Sequence, residues 1–212
     1  MSKYAQIMET IERGRSGEIA ALVQQALDEG SSAAEILSQG MLAAMDVVGD
    51  RFQRSEIYVP EILMAARTMN TGMEILKPLL AEAGVKPIGK AILGTVKGDL
   101  HDIGKNLVKI MLEGKGIEVI DLGVDVPAEK FVDAAEKGDA AIIACSALLT
   151  TTMGEMEKVV KALEERGLRD KIKVMVGGAP ITQEYCNLIK ADYYTADAAS
   201  AAEVAVEILG GK

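Results

Sequence analysis

Five short runs rich in β-branched residues, each followed by a helical stretch, restrict the fold of the second half of the chain. The runs cover residues 91–96, 117–122, 140–144, 173–176 and 192–194. The helices after them are predicted to begin near Asp102, Ala128, Thr152, Thr182 and Asp197. This alternation predicts a parallel sheet with helices on both faces. Ligands bind such open sheets beyond the carboxyl ends of the strands, so the loops that follow the strands form the candidate site.

Residues 1–84 follow the helical period instead. Ile19 and Val23 fall on one helical face, Ser32 with Glu35 forms a capping box, and Pro60 suits the first turn of a long helix. We predict about four helices, hence a bundle over residues 1–84, a linker at 85–90 and a second domain at 91–212. The fold class expected is α/β: an N-terminal four-helix bundle followed by a flavodoxin-like, doubly wound, five-stranded parallel sheet.

Charge and composition exclude several function classes. The net charge is −9, and no cluster of Lys and Arg offsets it, so we expect no nucleic acid among the partners. No apolar run approaches the roughly 18 residues of a membrane span, and the first residues carry no apolar signal segment. The two cysteines lack the spacing of a zinc site. The sequence predicts a cytoplasmic protein without a membrane partner.

The single histidine, His101, lies in the predicted loop between the first strand and its helix. Gly98 and Gly104 allow that loop an unusual backbone and a close approach by a ligand. Asp99 is placed to bind one ring nitrogen, which would leave the other facing outwards as an oriented metal ligand. One histidine cannot build a zinc or iron site alone, so a macrocycle would have to supply the other ligands. Haem and a corrinoid both fit that description.

The residues from Asp99 to Gly104 read Asp-Leu-His-Asp-Ile-Gly and resemble the DxHxxG signature of cobalamin-binding proteins. Two further segments are similar to that family's motifs: Ser146-Ala147-Leu148 to its SxL turn, and Gly177-Gly178 to its GG turn. Residues 40–66 resemble the helical bundle that precedes the cobalamin domain in methionine synthase and in the small corrinoid proteins of methanogens and acetogens. The resemblance therefore covers most of the chain.

The resemblance implies a cobalamin or related corrinoid whose cobalt is bound axially by His101. Its nucleotide tail would thread into the sheet, where Ser146 and Thr150 line it and the glycine pair leaves room. Thr152 would place a hydroxyl near the Asp99–His101 pair, although Thr152 also suits a capping box with Glu155. The helical bundle would cover the upper corrin face. The full set of cofactor residues expected is Met64, Asp99, His101, Asp102, Ile103, Gly104, Ser146, Leu148, Thr150, Thr152, Gly177 and Gly178.

The function implied is that of a methyl carrier. Such proteins alternate between cob(I)alamin and methylcobalamin, take a methyl group from a substrate-specific methyltransferase and deliver it to an acceptor methyltransferase that uses a thiol or a tetrahydrofolate. A reductive activase is a further expected partner. On this interpretation the chain is not an enzyme by itself. The methyl donor is left open among methylamines, methanol, betaines and aryl methyl ethers.

Three alternatives remain at this stage. The cobalamin subunit of an adenosylcobalamin-dependent mutase shares DxHxxG but typically lacks the bundle. A cobalamin-sensing regulator has the bundle and also a DNA-binding segment, and no basic helix-turn-helix precedes residue 15. A flavodoxin-like nucleotide or flavin module ranks last, because the first loop lacks a phosphate-binding GxGxxG.

Overall fold

The structure, a computed structural model, describes residues 2–210, and the chain divides into two compact units between Lys86 and Pro87. The first unit is helical. Its α-helices are α1 (Lys3–Glu12), α2 (Ser16–Asp28), α3 (Ala33–Glu35), α4 (Ala43–Gln53) and α5 (Val59–Glu82). A π-helical segment, Ile36–Leu42, joins α3 to α4 without a break, so the described part of this unit contains four helical rods, as predicted.

Apolar side chains at helical spacing hold the first unit together. Ile7, Ile19 and Met41 are fully or almost fully buried, and Gly72 on α5 lets Met41 approach closely, because a Cβ there would overlap the Met41 side chain. The capping box at Ser32 and Glu35 is confirmed: the serine hydroxyl accepts from the Glu35 N–H, and the glutamate accepts from the Ser32 N–H.

The second unit is a parallel sheet with helices between the strands. The strands are β1 (Lys90–Thr95), β2 (Glu118–Asp121), β3 (Ile142–Ser146), β4 (Lys173–Gly177) and β5 (Tyr193–Tyr194). The helices are α6 (Ile103–Gly114), α7 (Ala128–Gly138), α8 (Gly154–Glu165), α9 (Gln183–Leu188) and α10 (Ala198–Ile208). α6 packs against α10 and α7 against α8, which covers both faces. The predicted fold class is confirmed.

The strand order β2-β1-β3-β4-β5 fixes where a ligand can enter. The chain reverses its direction of winding between β1 and β3, so the loops after these two strands diverge and open a crevice at the carboxyl edge. Thr95, Ser146 and Gly177 lie side by side across β1, β3 and β4 at that edge. The crevice therefore lies between the loop that carries His101 and the loop that begins at Ser146.

Each strand boundary lies within two residues of the prediction, and two of the differences in the elements concern the site. β3 continues to Ser146, because Cys145 and Ser146 extend its pairing with both neighbours. The predicted capping box at Thr152 is wrong: α8 begins at Gly154, and the Thr152 hydroxyl binds elsewhere, as described below. Within residues 2–210, no helix combines the length and the apolar character that crossing a membrane requires.

Phe131 of α7 anchors one face of the sheet. Its ring is fully buried, and a Cβ at Gly94 of β1 would lie 2.7 Å from the ring, so the glycine makes room for it. Replacing Phe131 by Ala should lower the free energy of unfolding by about 3–5 kcal/mol, through lost burial and the cavity left behind. Urea unfolding followed by circular dichroism measures this.

The matched control is Leu188→Ala, since Leu188 is 76% exposed. That variant should stay within about 0.5 kcal/mol of the parent protein. Equal destabilisation by the two substitutions would contradict the assignment of Phe131 as the centre of this core.

Candidate functional site

His101 lies in the crevice at the carboxyl edge, with its partner two residues before it. Its Nδ1 is 2.6 Å from Oδ1 of Asp99, and half of the histidine side chain is exposed while that of Asp99 is fully buried. A carboxylate can only accept, so Nδ1 carries the proton and donates it to Asp99. The lone pair of the neutral ring is then on Nε2, the nitrogen remote from Asp99. This is the arrangement that orients a histidine as a metal ligand.

The second oxygen of Asp99 is held by the loop after β3. Oδ2 accepts hydrogen bonds from the backbone N–H of Leu148 at 2.8 Å, the N–H of Leu149 at 3.2 Å and the hydroxyl of Thr152 at 2.9 Å. The backbone N–H of His101 adds a bond to Oδ1 at 3.1 Å. Asp99 thus joins the loop after β1 to the loop after β3 across the switch point.

These donors decide the charge of Asp99. Burial by itself would raise the pKa of its carboxyl, but the hydrogen bonds from the His101 ring, the Leu148 N–H and the Thr152 hydroxyl together hold the pKa well below its ordinary value. Asp99 is therefore an anion at neutral pH and a permanent acceptor for Nδ1–H.

The backbone of the histidine loop is held by hydrogen bonds from the end of β1 and from the loop after β2. The hydroxyl of Thr95 at the end of β1 donates to the carbonyl oxygen of His101 at 2.8 Å. Gly98 has φ +81, a conformation that favours glycine, and begins the turn into Asp99. On the far side, Asp125 in the loop after β2 accepts from the Gly98 N–H at 2.7 Å and donates its own N–H to the Asp99 carbonyl at 3.0 Å.

Apolar side chains surround the histidine without being buried. Leu100 is 72% and Ile103 is 75% exposed, on either side of His101, and Leu148 and Leu149 are also exposed. Exposed aliphatic side chains around one polar group favour a large, mainly apolar ligand face. Among residues 2–210 no group of three or more His, Cys, Asp or Glu could hold a bare metal ion. The donor set therefore fits a metal that brings its own macrocycle.

The glycines of the motifs serve different purposes. A Cβ at Gly104 would meet no atom within 4 Å, so this glycine leaves open space at the start of α6. Gly178 has φ +129, and a Cβ there would overlap the carbonyl oxygen of Ala147. The chain's own backbone thus requires Gly178, whereas a Cβ at Gly177 would only press on the Thr195 carbonyl at 3.2 Å. The prediction that this pair makes room for a nucleotide tail remains a prediction.

The other predicted residues make no hydrogen bond to Asp99 or to the His101 ring among the described contacts. Ser146 ends β3 and pairs with Thr95, and Thr150 is exposed in the turn before α8. Asp102 immediately precedes α6, and its carboxylate accepts from the side-chain amide of Asn106 at 3.2 Å. Met64 belongs to α5 of the first unit and is 49% exposed. The structure brings together Asp99, His101 and Thr152, with the backbone of Leu148.

Sequence reasoning missed two kinds of residue here. The backbone N–H groups of Leu148 and Leu149 carry no side-chain signal, so only the fold reveals that they bind Asp99. Lys105, almost fully buried, binds Asp121 through both carboxylate oxygens at 2.7 and 2.8 Å and ties the first turn of α6 to β2. The position of this lysine, one helical turn after the histidine, is visible in the sequence and could have marked it as a candidate residue of the site.

Comparison with known proteins places the whole chain in one family. Residues 89–209 match the model of the B12 binding domain, and residues 4–77 match a second model that is also described as a B12 binding domain. Together these matches cover most of both structural units.

Individual relatives agree with the family models. A corrinoid protein of Desulfitobacterium hafniense is 40% identical, with 99% of each chain covered. A dimethylamine corrinoid protein of Methanosarcina barkeri is 44% identical, with 90% of each chain covered. A chain in the crystal structure of the methanol:cobalamin methyltransferase complex of Methanosarcina barkeri superposes with a TM-score of 0.90 at 30% identity, over 99% of this chain and 80% of that one.

The anchored carboxylate of Asp99 leads to a pH-dependent stability. Asp99→Asn should lower the free energy of unfolding by about 1.5–3 kcal/mol at neutral pH, because charged hydrogen bonds are lost. The folded-state pKa of Asp99 lies below its unfolded value, so its stabilisation is complete above about pH 4 and is lost as the pH falls through the folded pKa. The difference between parent and variant should therefore shrink on acidification, as urea unfolding at a series of pH values measures.

Asp170→Asn, at an exposed position, is the control and should stay within about 0.5 kcal/mol throughout. A difference for Asp99→Asn that does not change with pH would show that Asp99 is not held as an anion.

Proposed function

Because this chain belongs to the family of corrinoid proteins with B12 binding domains, we propose that it carries a methyl group on a corrinoid cobalt between two partner methyltransferases. The observation that carries the proposal is the His101 ring, whose Nδ1 is bound to the buried Asp99 carboxylate and whose Nε2 is left as the ligand atom at the switch point. When bound, the corrinoid supplies a cobalt that accepts and releases the methyl group.

His101 would be the axial ligand through Nε2. Leu100, Ile103 and Leu148 would contact the ring system from the exposed apolar positions around the histidine. Gly104, whose Cα faces open space, would allow the macrocycle to lie close to the start of α6. For the nucleotide tail we propose Ser146, Thr150, Gly177 and Gly178, which lie on the loops after β3 and β4.

Asp99 and Thr152 would set the proton state of the ligand. Asp99 would hold the proton on Nδ1 with His101 bound to the cobalt, and its negative charge would stabilise a ring that is protonated on both nitrogens. Thr152 and the Leu148 N–H keep the carboxylate oriented through both states, since they bind its other oxygen. Release of His101 from the cobalt would then be coupled to protonation of its ring.

The proposed partners follow from the relatives. A dimethylamine corrinoid protein and a chain of a methanol:cobalamin methyltransferase complex are both similar to this chain, so its donor is a small methylated amine or alcohol supplied through a dedicated methyltransferase. The acceptor methyltransferase and a reductive activase are further proposed partners. We assign the chain a carrier role rather than catalysis, since its one histidine serves the corrinoid.

The relatives named above favour this role over the alternatives. One of them is a chain of a methyltransferase complex and another is a dimethylamine corrinoid protein. A B12 binding domain model also matches the helical unit, and a mutase subunit typically lacks such a unit. The B12 binding domain over residues 89–209 likewise disfavours a flavin module.

The carrier role is tested by methyl transfer with and without partners. The protein is loaded with methylated cobalamin, and loss of the methyl–cobalt absorbance is followed with a thiol or a tetrahydrofolate. The lone chain should react slowly, and the acceptor methyltransferase should accelerate the reaction by orders of magnitude, because it orients the nucleophile. The other half-reaction, methylation of the cobalt(I) form, is tested with methylamines and with methanol as donors, each with its own methyltransferase. Rapid turnover of donor and acceptor by the lone chain would make this protein an enzyme.

Axial ligation by His101 has a spectroscopic test. The cobalt(II) form should show nitrogen superhyperfine splitting from the imidazole in its EPR spectrum. His101→Ala should remove the splitting while much of the cobalamin remains bound, because other residues hold the tail. Labelling the protein with ¹⁵N-histidine should change the splitting pattern, which distinguishes the protein ligand from the cofactor's own base. A pattern insensitive to the label would contradict ligation by His101.

The open space at Gly104 predicts a separation of stability from binding. Gly104→Ala should leave the free energy of unfolding unchanged or raise it by up to about 1 kcal/mol, since alanine favours helices and its Cβ meets nothing. The same methyl group should weaken cobalamin binding several-fold if the macrocycle lies against α6, as titration with absorbance detection measures. Gly154→Ala is a matched control at the start of α8, also in open space, and should bind normally. Unchanged affinity in Gly104→Ala would place the macrocycle elsewhere.

A further inference from the structure

Asp125 lies in none of the motifs that carry the family resemblance, yet it contacts the histidine loop at both Gly98 and Asp99. Its carboxylate Oδ1 accepts from the Gly98 N–H at 2.7 Å, and its own N–H donates to the Asp99 carbonyl oxygen at 3.0 Å. The two bonds flank the turn in which the chain enters Asp99. A single residue, 26 positions further along the chain, thus fixes the backbone that carries the partner of His101.

The backbone of Asp125 shows that this contact constrains the loop. Asp125 has φ +54, which few residues other than glycine adopt, although aspartate tolerates it better than most. In this conformation its N–H and its side chain both reach the histidine loop. Neighbouring bonds support the same junction: the Thr95 N–H donates to the Gly123 carbonyl at 2.9 Å, and the Val126 N–H donates to the Thr95 carbonyl at 3.0 Å.

Asp99 is consequently located by two independent loops. The loop after β3 holds its carboxylate through Leu148, Leu149 and Thr152, and the loop after β2 holds its backbone through Asp125. The side-chain bonds fix where the carboxylate lies, whereas the backbone bonds fix the direction from which it reaches His101. With both sets of bonds in place, Oδ1 of Asp99 lies 2.6 Å from Nδ1 of His101.

We infer that Asp125 is a positioning residue that fixes the turn at Gly98 and Asp99 and thereby keeps the His101 ring in the orientation that presents Nε2. The functional purpose of this positioning rests on the proposed function. The contacts of Asp125 themselves are present in the chain without a corrinoid. Asp125 does not touch the ring, so it acts through Asp99.

The first test uses the protein without corrinoid. His101 is the only histidine, so ¹⁵N-histidine labelling gives one imidazole whose two nitrogen signals report which nitrogen carries the proton. Asp125→Gly removes the carboxylate and suits the positive φ, so it deletes the bond to Gly98 without backbone strain. At a pH where the ring is neutral, the ratio of Nδ1–H to Nε2–H forms should fall about fivefold, the equivalent of about 1 kcal/mol for one net hydrogen bond.

Two further variants separate positioning from general stability. Asp125→Asn keeps an oxygen acceptor and tolerates the same φ, so it should retain the parent ratio. Asp139→Gly is the matched control, because Asp139 is an exposed aspartate with φ +52 at the end of α7, away from the histidine loop. It should also retain the parent ratio. An unchanged ratio in Asp125→Gly, a fall in Asp125→Asn as large as in Asp125→Gly, or an equal fall in Asp139→Gly would each overturn the inference.

The second test uses the cobalamin-loaded protein. In Asp125→Gly the fraction of the cobalt(II) EPR signal with imidazole nitrogen splitting should fall, and in Asp125→Asn and Asp139→Gly it should match the parent. A parent-like spectrum in Asp125→Gly would overturn the inference for the loaded protein. If the parent protein itself takes up no cobalamin, the proposed function fails, and the tautomer ratio still decides the role of Asp125.

Discussion

The carboxylate of Asp99 is the point on which the site depends. A fully buried anion would be unfavourable by itself, and its hydrogen bonds from the His101 ring, Leu148, Leu149 and Thr152 compensate for the lost hydration. These donors come from loops that follow different strands. The hydrogen bonds that stabilise this charge therefore join two loops at the switch point and orient the His101 ring, which is why the histidine can remain half exposed and still have a defined direction.

The sheet provides the frame in which those donors meet. Parallel strands in the order β2-β1-β3-β4-β5 bring the loops after β1 and β3 together at one edge, although about 50 residues separate them in the chain. Buried contacts such as Phe131 against Gly94 fix the strands laterally, and the close approach of Gly178 to Ala147 fixes β3 and β4 at the rim. Leu100, Ile103, Leu148 and Leu149 remain exposed in the loops that follow β1 and β3.

The helical unit is stabilised by packing between helices rather than by strand pairing. Its helices pack through small and apolar residues, as Gly72 and Met41 illustrate, and a π-helical segment keeps α3 and α4 continuous. Such segments occur often at functional positions, because they shift the register of a helix within an otherwise regular bundle. One B12 binding domain model matches this unit and another matches the sheet, so both halves of the chain resemble B12 binding domains.

The sequence by itself determined the class of each half and indicated His101 as the candidate ligand residue. The helical and alternating periods, the capping box at Ser32 and the motif around His101 are local signals, because each depends on residues a few positions apart. Tertiary structure alone decided where β3 ends, because Cys145 and Ser146 pair with β4. It also decided the partner of the Thr152 hydroxyl, which donates to the buried Asp99 carboxylate instead of capping a helix. The backbone donors at Leu148 and Leu149 and the role of Asp125 were likewise beyond the sequence. Their partners are distant in the chain, and a backbone N–H looks the same at every residue until folding places an anion beside it.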